Sequence, residues 1–448
     1  MSNVPMTMPE LMLAEHETIC GHSSTFVERD DGRILHVAGF WKNYSEDGGL
    51  TWTTMAEEKM VDVNGAPVGG VETALVKLPG WNSVGLSALL SDDPKPTSYA
   101  ATPHCRGFHY WRSDDAGQTW SEPVRMTDPG ARAASYQDNC LRTSSGRIVR
   151  PVWTDLCQTS GPSEWKPPFT GKLVRNQWVS TVAHFDDPGF SVVYVLISDD
   201  EGRTWQRNTD GELMIFVDGS RTVSRVNESS VAEFAPGRLL MFMRNRLGRI
   251  FQAWSNDNGD TWTRPQPTSL AATTTPAQIR TLPTGHLLCV WNQENHEDVN
   301  RGYNRTRVSS AVSRNGGSVW EFFQNVQSLH ETTRVEPGPI EPVRPAEVYF
   351  HPGQPASERE AEQILTADVH GRWGYCSVLV MKDRVLIAHT YSNYEDDPTK
   401  AQIIRNRIDS DGNPINQKLK VLPLKWFYGG MEPASNPFLK EAYEPARP

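Results

Sequence analysis

The sequence predicts an all-β chain folded as a six-bladed β-propeller of four-stranded antiparallel blades, with seven blades as the alternative count. Two observations carry that prediction. An eight-residue box recurs five times along the 448 residues, and a grammar of short apolar strands and turns repeats between the copies. Self-similarity at such a period is the signature of a repeat architecture.

The box reads Ser45-Glu46-Asp47-Gly48-Gly49-Leu50-Thr51-Trp52 and returns at Ser113–Trp120, Ser198–Trp205 and Ser255–Trp262. All four copies satisfy S-x-D-x-G-x-T-W. A weaker fifth runs Ser313–Trp320, with Asn315 in place of the Asp and Val319 in place of the Thr. The physics is that of a hairpin turn. The Asp carboxylate caps local backbone N–H groups, and the Gly supplies the positive φ that a tight turn demands. The Trp then opens the outgoing strand and anchors it in apolar packing, a structural role rather than a catalytic one. The box lacks the ligand run of a calcium-binding loop, and no metal or other cofactor is expected.

Starts of successive boxes lie 68, 85, 57 and 58 residues apart, a period that fits four short strands with their turns. Between boxes the grammar is plain: Ser229-to-Phe234, a turn at Gly237, Arg238-to-Met243, then Ile250-to-Trp254. The next unit reads Ala277-to-Leu282, a turn at Gly285, His286-to-Trp291 and Arg307-to-Val312. A sixth unit without a box runs Tyr375-to-Met381, turns at Lys382-Asp383 and continues Val385-to-Thr390. Residues 1–448 therefore read as one propeller domain. Irregular loops are expected at about 161–178 and at the proline-rich 332–358, and a hidden seventh blade would have to lie there.

Composition narrows the partners. A formal charge of −10 argues against a nucleic-acid or anionic-membrane surface, which needs a basic face. It leaves room for an acidic substrate, because a few converging arginines make a positive pocket on a negative protein. The six Cys are scattered without a CxxC pair and read as isolated thiols. The first twenty residues hold Glu10 and Glu15 and show neither a basic segment nor an apolar core of a secretory signal, so the sequence as written reads as cytoplasmic.

The boxes resemble the Asp-box (BNR) repeats of the sialidase superfamily, over roughly residues 20 to 425. The stretch Asn227-Glu228-Ser229-Ser230-Val231, followed by Met241-Phe242-Met243-Arg244, is similar to the sialidase segment in which a Glu opens an inner strand and an Arg closes the next. The resemblance implies that Glu228 polarises a nucleophilic Tyr and that Arg244 belongs to a three-arginine clamp on a sugar carboxylate. Gly374-Tyr375-Cys376-Ser377 is similar to the segment carrying that Tyr, which makes Tyr375 the nucleophile. Arg305 or Arg307 would supply a second clamp arginine, the planar guanidinium being suited to bidentate carboxylate binding. At the first blade, His22 stands near the place of the family's remaining clamp arginine, and the loop that carries the family's acid/base Asp is missing between Phe40 and Ser45.

A propeller gathers the starts of its inner strands at one end of the central channel. His22, Glu72, Tyr136, Asp138, Glu228, Gln278 and Tyr375 are the polar residues expected there, with His104, Arg106 and His109 approaching the same end. Imidazole titrates nearest neutrality, so His22 is a candidate acid or base, and Asp138 is the alternative proton donor. Tyr136 and His109 join the substrate-binding candidates. Three functions are open at this level: an exo-glycosidase acting on a terminal acidic sugar, a lyase that eliminates across a uronate using His, Tyr and Arg, or a glycan-binding propeller without catalysis. In each the partner is a carbohydrate, one bearing a carboxylate in the two enzymatic readings.

Overall fold

The computed structural model describes residues 5–17, 24–91, 106–128, 133–155, 171–174, 177–180, 191–209, 215–216, 223–224, 226–272, 275–300, 305–341, 372–394, 404–405, 407–408, 414–415 and 417–433. His22 and His104 lie outside them. The chain forms six antiparallel sheets arranged as the blades of a propeller. From the channel outward, blade I is Ser24–Glu28, Ile34–Ala38 and Trp41–Ser45. Blade II is Val71–Lys77, Val84–Ser91, Arg106–Ser113 and Val124–Arg125. Blade III is Leu141–Arg142, Ile148–Asp155, Ser191–Ser198 and Gln206–Arg207. Blade IV runs Asn227–Ala235, Arg238–Arg244, Arg249–Ser255 and Gln266–Ala271. Blade V runs Ala277–Thr281, Leu287–Asn292, Arg307–Ser313 and Glu321–Ser328.

Blade VI shows how the ring closes. Arg372–Val380, Arg384–Tyr394 and Gln417–Pro423 are joined on the outside by the N-terminal strand Ala14–Glu17, which pairs antiparallel with Gln417–Pro423. Glu15 reinforces the seam, its carboxylate 2.7 Å from Lys418 Nζ and 3.4 Å from Lys420 Nζ. The chain's start and end thus share one sheet. The expected loop at 161–178 contains strand: Gly171–Val174 pairs with Gln177–Ser180 as a hairpin apart from the blades.

Apolar residues fill the spaces between blades, and strand periodicity explains how one strand serves two of them. In the second strand of blade IV, Leu239, Met241 and Met243 pack with blade III, while Leu240 and Phe242 pack with blade V. Alternate side chains point to opposite faces, and a strand buried on both faces reads as an unbroken apolar run. Trp120, Trp205, Trp262 and Trp320 each enter the cluster shared with the preceding blade, and Trp52 enters the one that joins blade I to blade VI.

Four of the boxes lie between the third and fourth strands of their blades, as the sequence predicts, and the first follows the third strand of blade I. In the third box Ser198 Oγ donates to Asp200 Oδ1 at 2.9 Å and accepts from Gly202 N at 2.8 Å. The same carboxylate accepts Thr204 N at 2.8 Å and Thr204 Oγ1 at 2.7 Å. The box glycine also allows close approach of the preceding blade. A Cβ on Gly202 would lie 2.0 Å from a ring carbon of Tyr110 in blade II, and the residue's φ of +87° is itself unfavourable for any side chain.

Two stability predictions follow from this packing. Trp120 is only 1% exposed, so Trp120→Ala should lower the unfolding free energy by about 3–5 kcal/mol, whereas Gln118→Ala in the same exposed turn should stay within about 0.5 kcal/mol. Urea titration of both variants checks the contrast. The second concerns acid. Burial holds His36 down at about 4, and it holds His389 down at about 3. Both are then neutral in the fold while the unfolded chain takes up protons below its ordinary imidazole value of 6.5. Stability should be fully present above about pH 6.5 and fall as pH drops toward 4. Melting temperatures across that window, compared with a His36→Gln variant in which the fall is shallower, test the sign.

Candidate functional site

Three inner strands begin with the same device. Pairing with the second strand is broken between Val71 and Ala74 in blade II, between Asn227 and Ser230 in blade IV, and between Gly374 and Ser377 in blade VI. One residue in each break has a left-handed backbone: Glu72 at φ +54°, Glu228 at +30° and Tyr375 at +51°. A β-bulge re-aims side chains that a regular strand would alternate. Such conformations cost of order 1–3 kcal/mol at a non-glycine residue and cluster at functional sites.

Two of these bulges meet. Tyr375 Oη donates to Glu228 Oε1 at 3.2 Å, although their strands belong to blades VI and IV. Arg244, at the end of the second strand of blade IV, donates to Tyr375 Oη from Nη1 at 3.1 Å and pairs with the Glu228 carboxylate. Blade V contributes Arg305, whose guanidinium carbon stands 4.9 Å from the centre of the Tyr375 ring. The Glu228 and Arg244 side chains keep 16% and 8% of their surface exposed, and Tyr375 is half-buried.

Other residues hold Tyr375 in place. Tyr136 packs edge-on against its ring with centroids 5.9 Å apart and donates from its hydroxyl to Cys376 O at 2.6 Å. Burial pushes the Tyr136 phenol well above its ordinary value, which suits a donor within the wall. Gln137 Nε2 donates to Tyr375 O at 2.8 Å. On the other side, Asn292 Nδ2 donates to Trp373 O at 3.0 Å, and a Cβ on Gly374 would lie 2.8 Å from Asn292 Oδ1. Gln137 and Asn292 were not singled out by the sequence; amides that serve backbone carbonyls carry no motif.

The remaining candidates sit elsewhere. Asp138 is buried away from the Tyr375 hydroxyl: Oδ1 accepts Thr25 Oγ1 at 2.7 Å, and Oδ2 accepts Val378 N at 2.7 Å and Arg280 Nη2 at 2.8 Å. Burial raises its carboxyl against the lowering effect of Arg280. Arg307 is buried beneath the segment after blade V's second strand, donating to Gln293 O at 2.7 Å and Thr332 Oγ1 at 3.2 Å. Of the two arginines left open by the sequence, Arg305 is therefore the one beside Tyr375. His109 lies on the third strand of blade II, with Nδ1 3.1 Å from Gly107 O. Glu72 Oε2 accepts Ser135 N at 2.6 Å, and Gln278 is buried with Nε2 donating to Gln137 O at 2.9 Å. Among the described residues, no group of three or more His, Cys, Asp and Glu side chains is arranged to hold a metal ion.

Known proteins share this architecture. A sialidase of Bacteroides fragilis (strain YCH46) is 26% identical over 242 residues, which is 49% of this chain but only 36% of that protein, so the match spans about a third of the relative's length. Among solved structures, the Hadza microbial sialidase Hz136 superposes with a TM-score of 0.52 at 15% identity, covering 93% of this chain and 67% of the other. A protein of unknown function from Dyadobacter fermentans gives 0.51 at 15% identity over 94% of this chain and all of its own. The NanB sialidase of Streptococcus pneumoniae gives 0.51 at 10% identity, with 94% and 70% covered. At these identities the structural likeness speaks for the fold. The BNR repeat-like domain matches residues 99–387, well over half of the sequence, and the chain belongs to that family.

Proposed function

We propose that the protein is a sialidase-like exo-glycosidase that cleaves a terminal sugar bearing a carboxylate. The observation that carries the reading is the triad of Tyr375, Glu228 and Arg244, with the phenol donating to the carboxylate at 3.2 Å and accepting from the guanidinium at 3.1 Å. A carboxylate on the phenol is the base a Tyr nucleophile needs, and a neutral phenol approaches an anionic sugar without charge repulsion. Arg244 and Arg305 supply the positive charge that orients the sugar carboxylate.

The pairing of Arg244 with Glu228 supports an ordered mechanism. Without substrate, the guanidinium satisfies the Glu228 carboxylate. A sugar carboxylate competes for the same guanidinium, and the Glu228 oxygens then turn wholly to the phenol. Tyr375 Oη forms the bond to the anomeric carbon as the glycosidic C–O bond breaks, and its proton passes to Glu228. The leaving oxygen takes a proton from His22, assigned on its place ahead of the inner strand of blade I. Water then attacks the anomeric carbon of the tyrosyl intermediate and gives a proton to the now neutral His22, while the C–Oη bond breaks and Glu228 returns its proton to the phenolate oxygen.

Incubation with sialosides and with uronate polysaccharides tests this reading. The expected outcome is release of a saturated acidic monosaccharide. Glu228→Gln should lower kcat by about 10²–10⁴-fold, Tyr375→Phe should lower it at least as far, and Arg244→Ala should raise KM as well. Growth of an alkene absorbance would replace hydrolysis by elimination, and silence across the panel would leave a binding module.

A further inference from the structure

The channel has a second mouth, and the residues there form a cavity of about 700 Å³. It is lined by residues of all six inner strands, by Asp30 and Leu78 to Trp81 in the turns of blades I and II, and by Asp138 and Cys140 ahead of the inner strand of blade III, at the end opposite Tyr375. Tyr375 and Val380 share one strand, and at about 3.3 Å per residue the two mouths are separated by roughly 16 Å along it.

Its charges are unevenly satisfied. Lys77 pairs with Asp30 at 2.6 Å and Arg280 with Asp138 at 2.8 Å. Arg142 is different. It lines the cavity half-buried, its Nε is buried without a hydrogen-bond partner, and no described carboxylate forms an ion pair with it. A guanidinium left unmatched beside a concave surface is a ready anion receptor, because its fork of donors fits two oxygens of one carboxylate.

The rim carries a second recognition element. Trp81 is 71% exposed and also lines the cavity. It stands on a turn that Asn82 fastens to the turn of blade I: Asn82 N donates to Asp30 Oδ2 at 2.8 Å, and Asn82 Nδ2 donates to Asp31 Oδ2 at 3.2 Å. Ser83 N closes the turn on Gly80 O at 3.2 Å. The indole is thus presented to solvent by a braced segment rather than folded into a core. An aromatic face beside an anion receptor, over a wall of Val76, Leu78, Val231 and Leu379, matches a ligand with one apolar ring face and one carboxylate.

We infer that this second mouth is a binding site for an acidic sugar residue, with Arg142 holding the carboxylate and Trp81 covering the ring. The site does not depend on the chemistry at Tyr375. It would keep a second acidic residue of a glycan on the protein, or retain a released one.

The test uses the full-length protein with Arg244→Ala, which weakens sugar binding at the first mouth, and calorimetric titration with glucuronate, N-acetylneuraminate and inorganic sulfate. One site for an acidic sugar is expected, weakened at least about tenfold by adding Arg142→Ala, in line with loss of a charge-assisted contact, and measurably weakened by Trp81→Ala. Trp81 is exposed, so that variant folds and keeps the proposal testable if Arg142→Ala does not. No sugar binding in the Arg244→Ala protein, or binding indifferent to both further changes, overturns the inference. Sulfate binding as tightly as the sugars with no effect of Trp81→Ala overturns the assignment to a sugar. Loss of turnover in the wild-type protein with the Arg142-dependent site intact would count against the glycosidase reading alone.

Discussion

How closely one blade's box turn can approach the next blade sets the geometry of the ring. A Cβ placed on Gly49 would stand 2.7 Å from Leu386 of blade VI, one on Gly117 2.8 Å from Leu35 of blade I, and one on Gly317 2.3 Å from Leu240 of blade IV. Real Cβ atoms do not approach heavy atoms that closely, so the box glycine fixes both the turn and the blade spacing. Gly49 acts across the seam between blades I and VI, where the ring must close. The channel's width follows from these spacings. So does the 3.2 Å separation of Tyr375 Oη and Glu228 Oε1, which belong to blades that are not neighbours.

Within that frame, the bulges decide which side chains reach the axis. A regular inner strand would turn Glu228 and Tyr375 toward a neighbouring blade or away from the mouth according to parity. The break in pairing after Asn227 and after Gly374 removes that constraint at the cost of a left-handed residue. Glu72 has the same backbone in blade II, yet its carboxylate caps Ser135 N instead of entering the group. The device is therefore structural in origin, and the site uses it where an arginine stands opposite.

Much of this was legible in the sequence because turn chemistry and strand periodicity are local. The boxes and the six units rest on residues whose meaning is set by near neighbours, whereas Glu228, Arg244 and Tyr375 were picked out by the resemblance of their segments to those of sialidases. Closure by Ala14–Glu17 was not legible: four alternating residues say nothing of a partner some 400 positions away. Arg305 and Arg307 could not be separated either. Two residues apart on a strand they would share a face, but Arg305 has φ +60° and lies outside the strand that begins at Arg307, so parity does not apply. The bonds that Asp138 makes were not legible for a related reason. An acidic residue at an inner-strand start reads as catalytic, whereas here it answers a donor that only the assembled ring creates.

That donor leads to the channel's interior. Each inner strand is the edge of its sheet, so half of its backbone N–H and C=O groups point into the channel and need partners. The partners are side chains of other blades: Asp138 takes Val378 N, Thr25 Oγ1 takes Leu75 N at 2.9 Å, Ser377 Oγ donates to Ser24 O at 2.6 Å, and Ser230 Oγ donates to Ala277 O at 2.7 Å. A channel wall of apolar residues would have left these groups unsatisfied at about 1–3 kcal/mol each. The polar plug that results bonds to the backbone and also to itself, as where Asp138 takes both Val378 N and Thr25 Oγ1, and hydrogen bonds in such a network reinforce one another. At one end of the channel stands the phenol–carboxylate–guanidinium triad, and at the other Arg142 and the exposed Trp81 line one cavity. The need to satisfy six sheet edges thus fills the middle of the channel with side chains that bridge one blade to another.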